Sequence, residues 1–310
     1  MENTRAKTTR NSLILLLTAT IWGMAFVSQS KGMDYMHPFT FNGVRSLIGA
    51  AGILVYILIS RKITGDKAAK LDWKRNVRAG LLCGIFLTIA STLQQFGIKY
   101  TSVGKAGFIT TLYIIFVPMF GIFLKKKVAP VVWAAAGMAA VGMYLLCMTE
   151  SLRLGAGDIM VFLCAIAFAI QIMTVDHYAA RIDGAVVSCI QFTVCGVVCC
   201  IGALIWGQPT FGQLQDGLGA LLYAGVLSCG VGYTLQIVGQ KGLNPTVAAL
   251  IMSLESVIAT ISGWIAYKIG FLSTDQTLTP RQIAGCVIVF AAVILVQLPP
   301  EWFRFGKKNA

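Results

Sequence analysis

The chain has 310 residues, 57% of them hydrophobic and only 12% charged, and a net charge of +13, whereas soluble domains carry about 25% charged residues. With a mean hydropathy of +0.77 this excludes a soluble globular protein, whose interior could not hide so much apolar surface; lipid, itself an apolar solvent, removes the difficulty. Backbone polar groups in lipid must be satisfied inside helices or a closed barrel, and the long unbroken apolar runs of this sequence, in place of short alternating segments, select helices.

The runs come in order at about 13–30, 39–60, 79–98, 104–124, 129–148, 157–175, 184–206, 218–239, 245–267 and 281–299. Each is near the 20 or so residues that a bilayer core requires, which predicts an all-α integral membrane protein of ten transmembrane helices. Arg5, Lys7 and Arg10 precede the first run as they would in a secretory leader. The run continues through Trp22 and Phe26 without a small-residue cleavage site, so the sequence predicts an uncleaved first span. Trp22 sits near the middle of that span, away from an interfacial belt, and is either a cavity wall or core packing.

Arg45 lies in the second run, about two turns from its outer end. It is expected to serve structure by snorkelling toward the interface. The third run offers Ser91, Thr92, Gln94 and Gln95. The fourth has Lys105 at its mouth as an anchor, then Thr110, Thr111 and Tyr113, and Pro118 as a candidate hinge, because proline removes a backbone donor and kinks a helix. The sixth carries Gln171 and Thr174, the seventh Gln191, and the eighth Tyr233 and Gln236. An amide exposed to lipid is costly, so each glutamine must face a cavity or another helix.

Glu255, in the ninth run, is the acid well inside a span. A charge at that depth is a functional candidate by default. It can take a proton as coupling ion, pair with a substrate amine or pair with Arg45; the structural alternative is a fixed salt bridge or a buried neutral carboxyl. Gly121, Gly137 and Gly142 read as close-packing positions between helices.

All nine cysteines fall inside apolar runs, which implies no disulfide framework. Cys195 and Cys199, one turn apart, either hold a soft metal ion or act as small polarizable packing residues. The only histidines, His37 and His177, fall at helix ends. No metal site, cofactor, hydrolytic pair or nucleic-acid motif is therefore expected. Clustered His, Asp or Glu, which a membrane-embedded enzyme would need, is missing from the spans.

Orientation follows from the basic residues, which concentrate in cytoplasmic loops. With the N-terminus inside, inner segments hold eighteen Lys and Arg and outer segments six. Both termini are thus expected in the cytoplasm.

The chain also repeats. "STLQQFGIKYTSVGKAGFITTLY" (Ser91 to Tyr113) aligns with "YTLQIVGQKGLNPTVAALIMSLE" (Tyr233 to Glu255) at a constant offset of 142. The offset pairs Gln94 with Gln236, Gly97 with Gly239 and Lys99 with Lys241. Chance matching of apolar residues does not produce such pairs. The units are 1–150 and 151–310, five helices each. An odd number turns the second copy upside down, the inverted arrangement of secondary transporters with substrate near the midplane. Gln94 and Gln236 would then face each other across a central cavity, unless they serve as interhelical glue.

Several short motifs carry a resemblance over about 12–299. They are "TATIWGMAFV" in the first run, "LQQFGIKYTSVGKAGFITTLYIIFVP" (Leu93 to Pro118), "LGAGDIM" (Leu154 to Met160) and "PTVAALIMSLESV" (Pro245 to Val257). In order and spacing they resemble the drug/metabolite transporter superfamily, in its ten-helix EamA-type branch. The resemblance implies a secondary transporter of a bacterial plasma membrane, exporting small polar metabolites such as amino acids or drugs by alternating access. The substrate-lining residues would be Trp22, Gln94, Thr110, Tyr113, Gln171, Tyr233, Gln236 and Glu255, with protons as a candidate coupling ion. A channel or a non-transporting receptor is the rival reading. The family often has Glu-Pro in the ninth helix; here Ser256 follows Glu255, which argues against a hinge there.

Overall fold

The computed structural model describes residues 2–64, 72–101, 103–124, 130–147, 155–272 and 276–297. Lys125 to Lys127, Arg153 and the basic residues of the C-terminal tail, on which the orientation argument partly rests, lie outside them. The described residues are helical almost throughout. In chain order the helices are α1 (Glu2–Gly32), α2 (Pro38–Thr64), α3 (Trp73–Ile98), α4 (Val103–Thr111), α5 (Tyr113–Phe123), α6 (Pro130–Cys147), α7 (Ala156–Ala179) and α8 (Gly184–Gly202). They continue with α9 (Phe211–Asp216), α10 (Leu218–Leu222), α11 (Tyr233–Gln240), α12 (Pro245–Met252), α13 (Leu254–Lys268) and α14 (Pro280–Gln297).

Local chemistry marks the starts. Asp72 accepts from Arg75 N at 3.0 Å ahead of α3, and Asp183 accepts from Ala185 N and Val186 N ahead of α8. Asn244 accepts from Thr246 N with Pro245 in the first turn of α12. Each satisfies amide donors that the helix itself leaves unpaired.

Among the described residues, eight helical stretches are long and apolar enough to cross a membrane: Lys7–Gly32, Pro38–Ile63, Trp73–Tyr100, Val103–Phe123, Ala156–Ala179, Gly184–Gly207, Leu218–Gln240 and Pro245–Lys268. The expected fifth and tenth spans correspond to shorter apolar helices, Pro130–Gly142 and Pro280–Leu295. These two pack on each other as α6 and α14. A Cβ on Gly142 would lie 2.9 Å from Gly285 O, so glycine is required for that approach. Gly137 has nothing within 4 Å and serves no such contact. Large apolar side chains stand exposed on the outer faces of α2 and α8, among them Leu58, Ile59, Val198 and Ile201, as a lipid-facing surface allows.

The remaining spans interleave. α1 packs on α11, α12 and α13; α3 packs on α7 and α8; α2 packs on α8 and on the segment Tyr223–Gly232. The ninth span is the most central, with 72% of its apolar window buried against 33% for the second. Two segments are wound as π-helix, Ala203–Gly207 and Tyr223–Gly232. The second continues into α11, while its counterpart in the first half is the unbroken α3. A π segment shifts the side chains that follow it around the helix, and such segments gather at functional sites.

The fourth and ninth spans are both interrupted, at Leu112 between α4 and α5 and at Ser253 between α12 and α13. Pro118 lies buried within α5, downstream of the interruption in its span. The ninth span breaks without a proline. Hydroxyls bond back at both breaks: Thr111 Oγ1 donates to Phe108 O at 2.9 Å, Ser253 Oγ to Leu250 O at 2.7 Å and Ser256 Oγ to Ser253 O at 2.8 Å. Backbone bonds tighten to three-residue spacing at the same points, Ile115 N to Leu112 O and Ser256 N to Ser253 O. Hydroxyls that bond back to a carbonyl bend a helix by competing with its own ladder.

Candidate functional site

Between the interleaved helices lies a cavity to which α1, α2, α3, α4, α5, α7, α8, α11, α13 and the Tyr223–Gly232 segment contribute side chains. Neither α6 nor α14 does. All eight residues that the sequence nominated line it: Trp22, Gln94, Thr110, Tyr113, Gln171, Tyr233, Gln236 and Glu255. The space open to the centre of a water molecule is about 40 Å³, room for about three waters at 10–15 Å³ each. That is too small for a metabolite.

The polar walls are hydrogen-bonded in pairs. Gln94 Nε2 donates to Thr110 Oγ1 at 3.2 Å. Gln171 and Gln236 exchange bonds, at 3.4 Å from Gln171 Nε2 and 3.2 Å from Gln236 Nε2. Tyr113 OH donates to Glu255 Oε1 at 3.1 Å, across a sequence separation of 142 residues. That separation equals the repeat offset. The bond therefore joins two positions that the sequence repeat pairs.

Aromatic rings form one side. Trp22 and Tyr233 lie with centroids 4.5 Å apart at 52°, and Phe192 meets Tyr233 edge-on at 5.0 Å. Trp22 Nε1 donates to Ser228 O at 3.4 Å, on the π segment. The ring is thus a wall with its polar edge satisfied, as amphipathic aromatics require.

Arg45 departs from its expectation. It is only 5% exposed and lines the cavity, with its guanidinium 5.3 Å from the Phe41 ring centroid. It does not snorkel outward, because α2 is pressed against the π segment there: a Cβ on Gly225 would lie 2.9 Å from Arg45 O. Nor does it pair with Glu255. The ion pairs among the described residues are Lys31–Asp34, Arg75–Asp72 and Lys105–Asp158.

Lys105 is more than an anchor. It meets the buried Asp158 at 2.5 Å, and Asp158 also accepts from Thr101 Oγ1 at 2.8 Å and Gly155 N at 2.9 Å. This cluster ties the first half to the second at one end of the bundle. Asp158, in the first turn of α7, was not among the residues singled out from the sequence. His37 sits at the same end, edge-on to Phe96 at 5.5 Å. Burial and the nearby Lys99 charge hold its imidazole below the usual histidine value of 6.5.

Not every polar candidate reaches the cavity. Gln95 Nε2 donates to Gln29 O at 3.2 Å, Thr174 bonds back to Ile170 O, and Gln191 is buried away from the cavity wall. Phe26, Gln29 and Phe168 line the cavity without having been nominated. The repeat held the signal, since the same offset pairs Phe26 with Phe168 and Gln29 with Gln171. Cys195 Sγ lies 3.4 Å from Ser46 Oγ and from Ser91 Oγ. Among the described residues no three His, Cys, Asp or Glu side chains are placed to hold a metal ion.

Comparisons with known proteins bear on the whole chain. The family model described as "EamA-like transporter family" matches twice, over residues 10–148 and 155–298. An "uncharacterized transporter" of Archaeoglobus fulgidus is 27% identical over 290 residues, 92% of this chain and 84% of that protein. The "uncharacterized transporter YwfM" of Bacillus subtilis is 24% identical over 294 residues, 94% of each chain. A crystal structure of a protein 16% identical superposes with a TM-score of 0.74, covering 96% of this chain and 99% of that one; at that identity it shows the fold alone.

Proposed function

The chain belongs to the EamA-like transporter family, a multi-pass protein of the cell membrane, and from that premise we propose that it is a secondary transporter exporting small polar metabolites, such as amino acids or drugs, by alternating access around the central cavity. The observation that carries the reading is the Tyr113–Glu255 bond between repeat mates at the cavity. Two similar halves of opposite orientation can exchange shapes, so that an opening toward one membrane face in one state becomes an opening toward the other in the next.

The halves are 1–150 and 151–310, each crossing the membrane five times, with both termini cytoplasmic. The interruptions at Leu112 and Ser253 flank the pseudo-two-fold axis that relates the halves and let the half-helices of the fourth and ninth spans tilt separately. Gln94, Thr110, Gln171 and Gln236 bond to one another while the cavity is contracted. They turn to substrate when it widens, each amide exchanging one partner for another at little net cost. Trp22 and Tyr233 take the apolar part of the substrate. Glu255 carries either a proton or the substrate's amine, and Tyr113 keeps its carboxyl oriented in both cases.

In proteoliposomes loaded with candidate amino acids, Glu255→Gln is expected to abolish flux or to remove its dependence on a pH gradient, while the variant inserts normally. Flux and pH dependence equal to wild type would defeat the role given to Glu255.

A further inference from the structure

Arg45 has no counterpart in the other half, where the repeat offset puts Val187. Among the residues lining the cavity it is the cation and Glu255 is the acid. No carboxylate of the described residues lies within salt-bridge distance of it, and its Nε, fully shielded, has no hydrogen-bond partner. A guanidinium keeps its charge at any physiological pH. A buried cation without an anion is destabilising, and intramembrane charges of this kind mark substrate or ion paths.

We infer that Arg45 holds a carboxylate of the substrate, so that the transported class consists of compounds carrying one carboxylate on an apolar, preferably flat, body. This deepens the transporter reading and rests on it. The planar fork of arginine matches a carboxylate through two parallel bonds. The backbone that carries Arg45 is held close, since a Cβ on Gly49 would lie 2.9 Å from Gly225 O and one on Gly225 would lie 2.9 Å from Arg45 O, which clamps α2 to the π segment over the turn from Arg45 to Gly49. The charge count selects the anion. One arginine balances one carboxylate, whereas a phosphate monoester would bring a second negative charge that no other lining residue meets. The body of the substrate then lies along Trp22, Tyr233 and Phe192. A substrate amine, if present, points toward Glu255, and the compound crosses with no net charge left uncompensated in the cavity.

The test uses the purified full chain and three probes that share one ring: L-phenylalanine, 3-phenylpropionate and phenethylamine. Binding is measured by calorimetry, and flux by efflux from proteoliposomes. The two carboxylate probes are expected to bind wild type at least tenfold more tightly than phenethylamine. Arg45→Gln is expected to weaken both carboxylates about a hundredfold and to leave phenethylamine within a factor of three. Arg45→Lys, which keeps the charge without the fork, falls between them and serves as the folded control if the glutamine variant does not express. The inference is overturned if neither carboxylate binds, if phenethylamine binds as well as they do, or if the Arg45 variants keep the wild-type order of affinities. Tight carboxylate binding without flux would refute transport and leave the site standing; flux indifferent to the carboxylate would refute the site and leave transport standing.

Discussion

The two ends of the bundle close on repeat-related contacts made of different chemistry. Where α3 meets α7, a Cβ on Gly97 would lie 2.9 Å from Gly157 O, and next to it Asp158 gathers Lys105, Thr101 and Gly155 N. The mates of these helices, α11 and α1, meet at the other end. There Gly239 lies under Leu15, whose Cδ2 would be 2.7 Å from an added Cβ. The counterparts of Asp158 and Lys105 are Leu16 and Val247. The polar bonds at that end run to backbone carbonyls: Asn11 Nδ2 to Lys241 O at 2.7 Å, and Lys241 Nζ to Ile182 O at 3.1 Å. The sequence repeat thus goes with a close glycine contact at both ends, while the electrostatics differ. Parting α7 from α4, beside the α3–α7 contact, means separating a partly buried ion pair, which parting α11 from α1 does not.

The largest effect is expected from Asp158→Ala. It removes the carboxylate that Lys105, Thr101 and the Gly155 amide share, and a loss of about 3 kcal/mol is expected. Its contrast at the other end, Asn11→Ala, removes one bond to a carbonyl and costs about 1 kcal/mol. Reversible unfolding of the purified protein in mixed micelles measures both, and equal losses would erase the difference between the ends.

Glycine substitutions sharpen the comparison at a smaller scale. In Gly157→Ala the new methyl meets backbone, Gly97 O at 2.9 Å, which cannot yield, so a loss of about 2 kcal/mol is expected. In Gly239→Ala it meets the far end of the Leu15 side chain, which can turn aside, and about 1 kcal/mol is expected. The reverse order, read from the same unfolding curves, would mean that Leu15 is the more rigid obstacle.

The smallest effect is on pH dependence. His37 has its folded value held below 6.5 by burial and by Lys99, so folding favours the neutral ring. The stability this contributes is complete above pH 6.5 and is lost as pH falls through 6.5 toward the lower folded value. His37→Gln is expected to flatten that slope in thermal scans between pH 7 and 5. An unchanged slope would assign the titration elsewhere.

Part of this was legible in the chain itself. Apolar runs of span length and their separation by turns follow from the thickness and dryness of a bilayer, which act on each segment alone. The eight nominated lining residues were recognisable one by one, since an amide or carboxyl inside an apolar run has few tolerable places to go. The 142-residue offset also sat in the sequence, though its reach to Phe26 and Gln29 went unused. Tertiary structure decided what depends on neighbours. Arg45 could run outward or inward, and only the clamp between α2 and the π segment directs it into the cavity. Asp158 stood in the sequence only as part of the motif LGAGDIM, and only the fold brings Lys105 to it across 53 residues. The interruptions at Leu112 and Ser253 arise where back-bonding hydroxyls coincide with the crossing of the two central spans, while the proline that seemed the natural hinge stays within a continuous helix. Periodicity and burial cost are properties of a segment; which polar group meets which is a property of the packed bundle, and it is there that the chemistry of the cavity was settled.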